Sequence, residues 1–234
     1  MNHGQGLRHN AIINEWLTAA SQLSALRFRA APARLPRIMH QLNDVSSVLG
    51  FLKTRKSASV KAMGMPGPTA SQLGEILGCA VRVPDHGKLT PWRFILWEGA
   101  ARSQFGNALR ARWQELHPEH GAASLDFVGG LFLRAPTVLV VVSKAAEHPK
   151  IPVWEQQMSA AAVCMNVLMA ATALGLGCQW NTDWLAYDEG ITKAMGLTPP
   201  ERVAGILYLG TPTAPLEDRP RPDPMSLLTR WTCP

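Results

Sequence analysis

From Ala160 to Cys178 the chain is apolar except for Asn166 and Thr172. A run of that length is close to what a membrane span needs, so its reading decides the class of fold. Its alanines and glycines add little hydrophobicity, and Glu155, Gln156 and Gln157 occupy the turn before it. A central helix over 154–174, buried on all sides in a globular core, fits better than a span. Glu155 near its N-terminus also suits the helix dipole, and Gly175-Leu176-Gly177 ends it. No membrane partner is expected.

Around this core helix, periodicity and turn signals predict helices at 44–54, 69–81, 100–116, 122–130 and 188–195. They predict strands at 93–97, 137–143, 177–180 and 203–209. That order suggests an α+β protein with a mixed β-sheet packed between helices. With 234 residues, 47% hydrophobic and 17% charged, one domain with appendages is expected. The domain runs over 41–225, and no internal repeat or linker interrupts it. The tail over 211–234 carries Pro212, Pro215, Pro220, Pro222, Pro224 and Pro234, so it reads as an extended arm rather than an inner strand.

Net charge is +6, and residues 1–40 hold five arginines against Glu15 alone, which leaves +2 for the remainder. The basic character belongs to a leader that resembles a targeting peptide in composition but lacks a secretory signal's apolar core and cleavage site. It is expected to be a dispensable, poorly packed extension upstream of a start at Met39. Four scattered cysteines without a Cys-x-x-Cys pair indicate a reduced, cytoplasmic setting.

Two short stretches carry chemistry. In the first, Asp44 is a plausible N-cap and Val45, Val48, Leu49 and Leu52 form the stripe of a short helix. Lys53, Arg55 and Lys56 cluster at its end, followed by Ser57 and Ser59. An arginine fork beside serine hydroxyls suits a terminal phosphate. Basic residues in a last helical turn also have a purely structural reading. In the second stretch, Thr69 caps a helix with Leu73, Ile76, Leu77 and Ala80 as its buried stripe. A polar loop from Asp85 to Thr90 then leads into the next strand. Pro91 biases Thr90 toward extended backbone. This loop can present His86, Lys88 and backbone amides to a planar heteroaromatic ring, while Trp92 fills core space. For Arg82 and His86, ligand contact and simple turn-making remain equally open.

These stretches resemble the flavin-binding signature of the nitroreductase family. Arg55-Lys56-Ser57 is similar to its Arg-Arg-Ser, and Arg82-Val83-Pro84-Asp85-His86 to the Arg-x-Pro-Asp-His of its shorter bacterial members. Trp154-Glu155-Gln156-Gln157-Met158-Ser159-Ala160 and Tyr208-Leu209-Gly210-Thr211-Pro212 match two further motifs in the right order. The resemblance spans roughly 41–225. It implies a nitroreductase-like α/β/α sandwich, a homodimer with exchanged C-terminal arms, FMN as cofactor and NAD(P)H as co-substrate. Hydride would pass to a nitroaromatic, a quinone or a similar small-molecule acceptor in a ping-pong cycle. Chemistry on the flavin N5 needs no catalytic side chain.

By the same resemblance Arg55 and Ser57 hold phosphate with Lys56 nearby, and Arg82 and His86 contact the ribityl chain or ring edge. Trp180, Asn181 and Thr182, just past the core helix, line the other side of the flavin. Where many members carry an arginine two residues after the serine, this chain has Ser59, so Arg219 or Arg221 is the candidate replacement cation. A nicotinamide contact at Ala170, Ala171, Thr172, Ala173, Leu174 and Gly175 is implied too, although small residues there equally serve helix packing.

Other chemistries lack their signatures. Gly175-Leu176-Gly177 follows a helix and has no third glycine in register, so it is no dinucleotide fingerprint. There is no phosphate-binding Walker loop, no His-Glu-x-x-His and no Gly-x-Ser-x-Gly elbow. His117-x-x-His120 lacks a carboxylate-rich companion sequence and reads as a solvated loop, so no metal is expected. Two alternatives stand beside the leading reading. One keeps the fold for reductive dehalogenation or other flavin chemistry, with Arg102 to Ser124 as the room for a lid. The other is a non-enzymatic basic binding protein using the leader. The absence of aromatic-basic interleaving argues against nucleic acid as a partner.

Overall fold

The structure is a computed structural model that describes residues 41–233. The extension expected over 1–40 lies outside them. Six helices are described: α1 (Val48–Thr54), α2 (Ala70–Ala80), α3 (Ala100–Leu116), α4 (Ala122–Gly129), α5 (Val153–Ala173) and α6 (Glu189–Ala194). Five strands accompany them: β1 (Met63–Gly64), β2 (Trp92–Glu98), β3 (Thr137–Ser143), β4 (Gly177–Asn181) and β5 (Arg202–Pro212). The bounds of α3 and β3 coincide with the expected ones. β1 was not anticipated, since two residues carry no periodicity.

The sheet is antiparallel in each pairing, where a mixed sheet was expected. Two helices separate β2 from β3, so the chain returns reversed. α5 does carry the chain from β3 to a strand of the same direction, β4. The long β5 lies between those two and pairs with both. It thereby converts a crossover unit into a run of antiparallel neighbours.

Alternation along the strands sorts the core into two layers. Val138, Val140 and Val142 of β3 share one face with Ile206 and Tyr208, packing on Phe105, Leu109 and Phe132 from the α3–α4 side. Leu139, Val141, Leu207 and Leu209 face the other way, onto Ile76 of α2 and Ala160, Val163, Val167 and Ala171 of α5. α5 is thus a core helix on this face, but it is not buried on all sides as expected, since Trp154 and Met158 are exposed. Among the described residues no helix is long and apolar enough to cross a membrane.

α2 is held by a reciprocal cap. The Thr69 hydroxyl accepts the Gln72 amide N–H at 3.2 Å, and the Gln72 side-chain oxygen accepts that of Thr69 at 2.9 Å. α1 departs from expectation. Ser47 rather than Asp44 is its N-cap, accepting the Gly50 N–H at 3.0 Å. Its buried residue is Phe51, whereas Val45, Val48, Leu49 and Leu52 are between 54% and 77% exposed. Beyond Pro212 the described chain forms no helix or strand except one turn over Pro224–Leu227, and exposes Leu227, Leu228 and Trp231.

Candidate functional site

The end of α1 delivers Arg55 and Ser57 together. An Arg55 guanidinium N–H donates to the Ser57 hydroxyl at 3.2 Å. Burial, then repulsion from Arg221, pushes the Arg55 guanidinium below its ordinary pKa; Arg219 adds to the repulsion, while Cys178 opposes it. The proline-rich tail therefore brings two further guanidinium groups to the one at α1, with Arg221 also paired to Asp218 at 3.3 Å. A partly desolvated guanidinium with like charges near it is the electrostatic form of an anion site. Beside them lies a cavity of about 350 Å³ lined by Lys56, Ser57, Ser59, Gln179 and the tail from Ala214 to Glu217. The Lys56 backbone N–H is taken by Asn43 Oδ1 at 2.7 Å. Ser59 caps the short turn Val60–Ala62.

The second stretch forms a tight loop at the other end of α5. Asp85 closes it, its carboxylate accepting the N–H groups of Leu89 at 3.1 Å and Thr90 at 2.9 Å. This closure holds Thr90 at φ 49°, Lys88 at 54° and Gly87 at 71°, so Thr90 is left-handed and not extended as expected. His86 Nδ1 meets Glu155 Oε2 at 2.7 Å, and both side chains are largely exposed. They line an open cavity of about 320 Å³ with Pro84, Trp154 and Met158. Trp92 is a core residue, its indole N–H donating to Ser159 Oγ at 3.1 Å, while Ser159 donates to the Pro84 carbonyl at 2.7 Å. Arg82 is exposed, and its carbonyl accepts from Asn166 at 3.1 Å.

Within one chain His86 and the clamp lie toward opposite ends of α5, while Arg82 sits partway along it beside Asn166. His86 contacts Glu155 in the first turn of α5. The clamp instead lies where β4 begins, since a Cβ built on Gly177 would sit 3.1 Å from the Ala58 methyl. Glu155 to Ala173 spans about 27 Å at 1.5 Å rise per residue. The loop after Arg82 thus faces the helix N-terminus, opposite to the end from which β4 leaves.

Nor do the β4 residues act as a set. Trp180 packs on the α5 face with Cys178, over Gly205, whose missing side chain makes its space. Gln179 and Asn181 point to the opposite face by the strand's period of two. Gln179, which sequence reasoning passed over, is the cavity-lining member, and its side-chain oxygen accepts the Val60 N–H. Asn181 ends β4 and Thr182 follows, exposed.

The nicotinamide stretch is the C-terminal cap of α5. Ala171 and Thr172 are buried, the Thr172 hydroxyl donates to Leu168 O at 2.8 Å, and Gly175 turns the chain at φ 79°. The N–H groups of Leu174, Gly175 and Leu176 are spent on the helix carbonyls, so small-residue packing and capping account for these positions. One further group departs from expectation. Glu119 stands between His117 and His120 and supplies the carboxylate that sequence reading did not assign to them.

Comparison with known proteins agrees with this architecture. The profile of the Nitroreductase family matches residues 52–211. A relative in Escherichia coli (strain K12), named "Putative NAD(P)H nitroreductase YdjA", is 36% identical over 171 residues, covering 70% of this chain and 87% of that one. A solved nitroreductase-like family protein from Bacillus cereus superposes with a TM-score of 0.68 at 25% identity, covering 79% of this chain and 96% of the other. A nitroreductase with bound FMN from Bacteroides fragilis shares the fold, with a TM-score of 0.56 at 22% identity over 76% of this chain and 95% of its own. The chain belongs to the nitroreductase family and is an oxidoreductase.

Proposed function

We propose that this chain is an FMN-dependent NAD(P)H oxidoreductase acting as a cytoplasmic homodimer. The observation that carries the reading is the Arg55 guanidinium held on Ser57, with Arg221 and Arg219 close enough to repel it, beside a cavity of about 350 Å³. The donor set fits a mononucleotide phosphate: guanidinium forks and a hydroxyl, with Lys56 lining the same space. Bound FMN supplies the two-electron relay by which NAD(P)H reduces a nitroaromatic, quinone or similar acceptor in alternating half-reactions. The chain's own residues bind and orient. Arg55, Ser57 and Arg221 hold the phosphate, and Gln179 fixes the backbone at Val60 beside it. The loop of Arg82 and His86 covers the ring, with His86 steadied by Glu155.

His86 and the clamp lie toward opposite ends of α5, so the reading takes the clamp of the complete site from one copy and its ring loop from another. The apolar side chains that α1 leaves exposed, and those of the tail, support this pairing of copies. Free thiols at Cys79, Cys164, Cys178 and Cys233 support a reducing compartment.

The test is a visible absorption spectrum of the purified protein. The reading expects flavin bands that bleach with NAD(P)H, and their loss in the Arg55→Ala/Ser57→Ala double variant. Unchanged flavin content in that folded variant would remove the clamp.

A further inference from the structure

The turn joining α3 to α4 gathers a group of side chains that the flavin reading leaves unused. His117, Glu119 and His120 each offer one donor atom, and the three atoms lie within 4.8 Å of one another. Glu119 Oε1 is 3.6 Å from His117 Nδ1 and 3.5 Å from His120 Nε2. The two imidazoles stack at 12° with centroids 4.9 Å apart. Trp113 of α3 backs them, 4.2 Å from the His117 ring and 5.6 Å from that of His120. Their side chains are 24% and 29% exposed, so much of the entropy of ordering them is already spent in folding.

Polar groups surround His120 Nδ1 on the side away from Glu119. The Trp113 indole N–H donates to both His120 Nδ1 and Ser124 Oγ, each at 3.1 Å. Ser124 Oγ is itself 3.3 Å from His120 Nδ1. A hydroxyl oxygen has two lone pairs. With Nδ1 accepting the indole proton, binding an ion at Nε2 moves the imidazole proton to Nδ1, where Ser124 Oγ stands 3.3 Å away to accept it and takes over the indole bond. An outer hydrogen bond that sets the tautomer in this way is what metal-binding histidines use.

We propose that this turn is a binding site for a divalent transition-metal ion of the Zn²⁺ type, held by His117, Glu119 and His120 with water in the fourth position. Two imidazoles and one carboxylate suit such an ion, whereas Mg²⁺ and Ca²⁺ prefer oxygen donors throughout. Tetrahedral ligands at zinc distances stand about 3.4 Å apart, so the donors must close by no more than about 1.4 Å. Glu119 Oε1 already stands near that spacing from both nitrogens, so the closure needed is between the two imidazoles. The bound ion ties the end of α3 to the start of α4, and it acts independently of the flavin.

The test uses metal-stripped full-length protein titrated with Zn²⁺ by calorimetry, with thermal midpoints read in parallel. The site predicts saturable uptake of one ion per chain that raises the midpoint, and neither effect with Mg²⁺. The His117→Ala/His120→Ala double variant loses that uptake. Ser124→Ala keeps all three ligands and weakens binding about tenfold or more. Glu119→Gln alters only an exposed side chain and also weakens binding, so it carries the test if the double variant fails to fold. Absence of saturable Zn²⁺ uptake, or uptake unchanged in these variants and therefore held by histidines elsewhere in the chain, overturns the proposal.

Discussion

Arg93 and Glu201 show how a single pair of residues ties the start of β2 to the approach of β5. Arg93 Nε donates to Glu201 Oε1 at 2.6 Å and Nη2 to Oε2 at 2.8 Å, a two-pronged bond. The Arg93 hydrogen bond, outweighing burial, holds Glu201 below the ordinary carboxylate value of 4.5. A carboxylate depressed in the folded state adds stability above its unfolded value, and that stability is lost as pH falls through the folded value. Glu201→Gln is therefore expected to be less stable than the parent at pH 7. The gap should narrow as pH falls below 4.5 through the lowered folded value, read from urea midpoints at neutral and acid pH. A gap that is constant with pH would show that the ion pair contributes nothing. Burial likewise pushes the Cys164 thiol up to about 12 and raises Cys178 further. Both should resist thiol reagents until the protein unfolds. At this scale the sequence was legible where chemistry is local, as in the guanidinium beside a serine at 55–57. It was silent where the partner comes from afar: Glu155 for His86 and Gln179 for the cavity.

The elements owe their placement to close approaches as much as to hydrophobic pattern. A Cβ on Gly106 of α3 would fall on the carbonyl oxygen of Gly129 in α4, a backbone atom that cannot step aside. Gly106→Ala is expected to cost about 1–3 kcal/mol, seen as a thermal midpoint several degrees lower; an unchanged midpoint would mean the helices separate freely. Strong periods made α3, β3 and α5 readable to within a residue at each end. The sheet's pairing was not readable from the order of elements, because β5 inserts between β3 and β4 only in three dimensions. α1 misled for a different reason. Its apolar stripe is real, but Val45, Val48, Leu49 and Leu52 face outward and Phe51 faces the core. Periodicity shows that a face will be covered; it does not say by which chain.

At the scale of the molecule, that exposed face and the placement of His86 and the clamp along α5 support the proposal that two copies share each flavin. Val48→Asp with Leu49→Asp leaves the core of a single chain untouched, so the variant should fold, sediment as a monomer and carry no flavin. A dimer that persists would place the contact elsewhere. The family and its fold were legible because four motifs lie in order along the sequence. The shape of the site was not, since the motifs fall at opposite ends of one helix. The most direct measurement is therefore complementation. A chain with Arg55→Ala/Ser57→Ala lacks the clamp, and a chain with Arg82→Ala/His86→Ala lacks the ring loop. Each alone should be colourless. Co-folded as a heterodimer, the two leave one site with both parts intact, and the account predicts one flavin per heterodimer by absorbance. A heterodimer as colourless as its parents would contradict it.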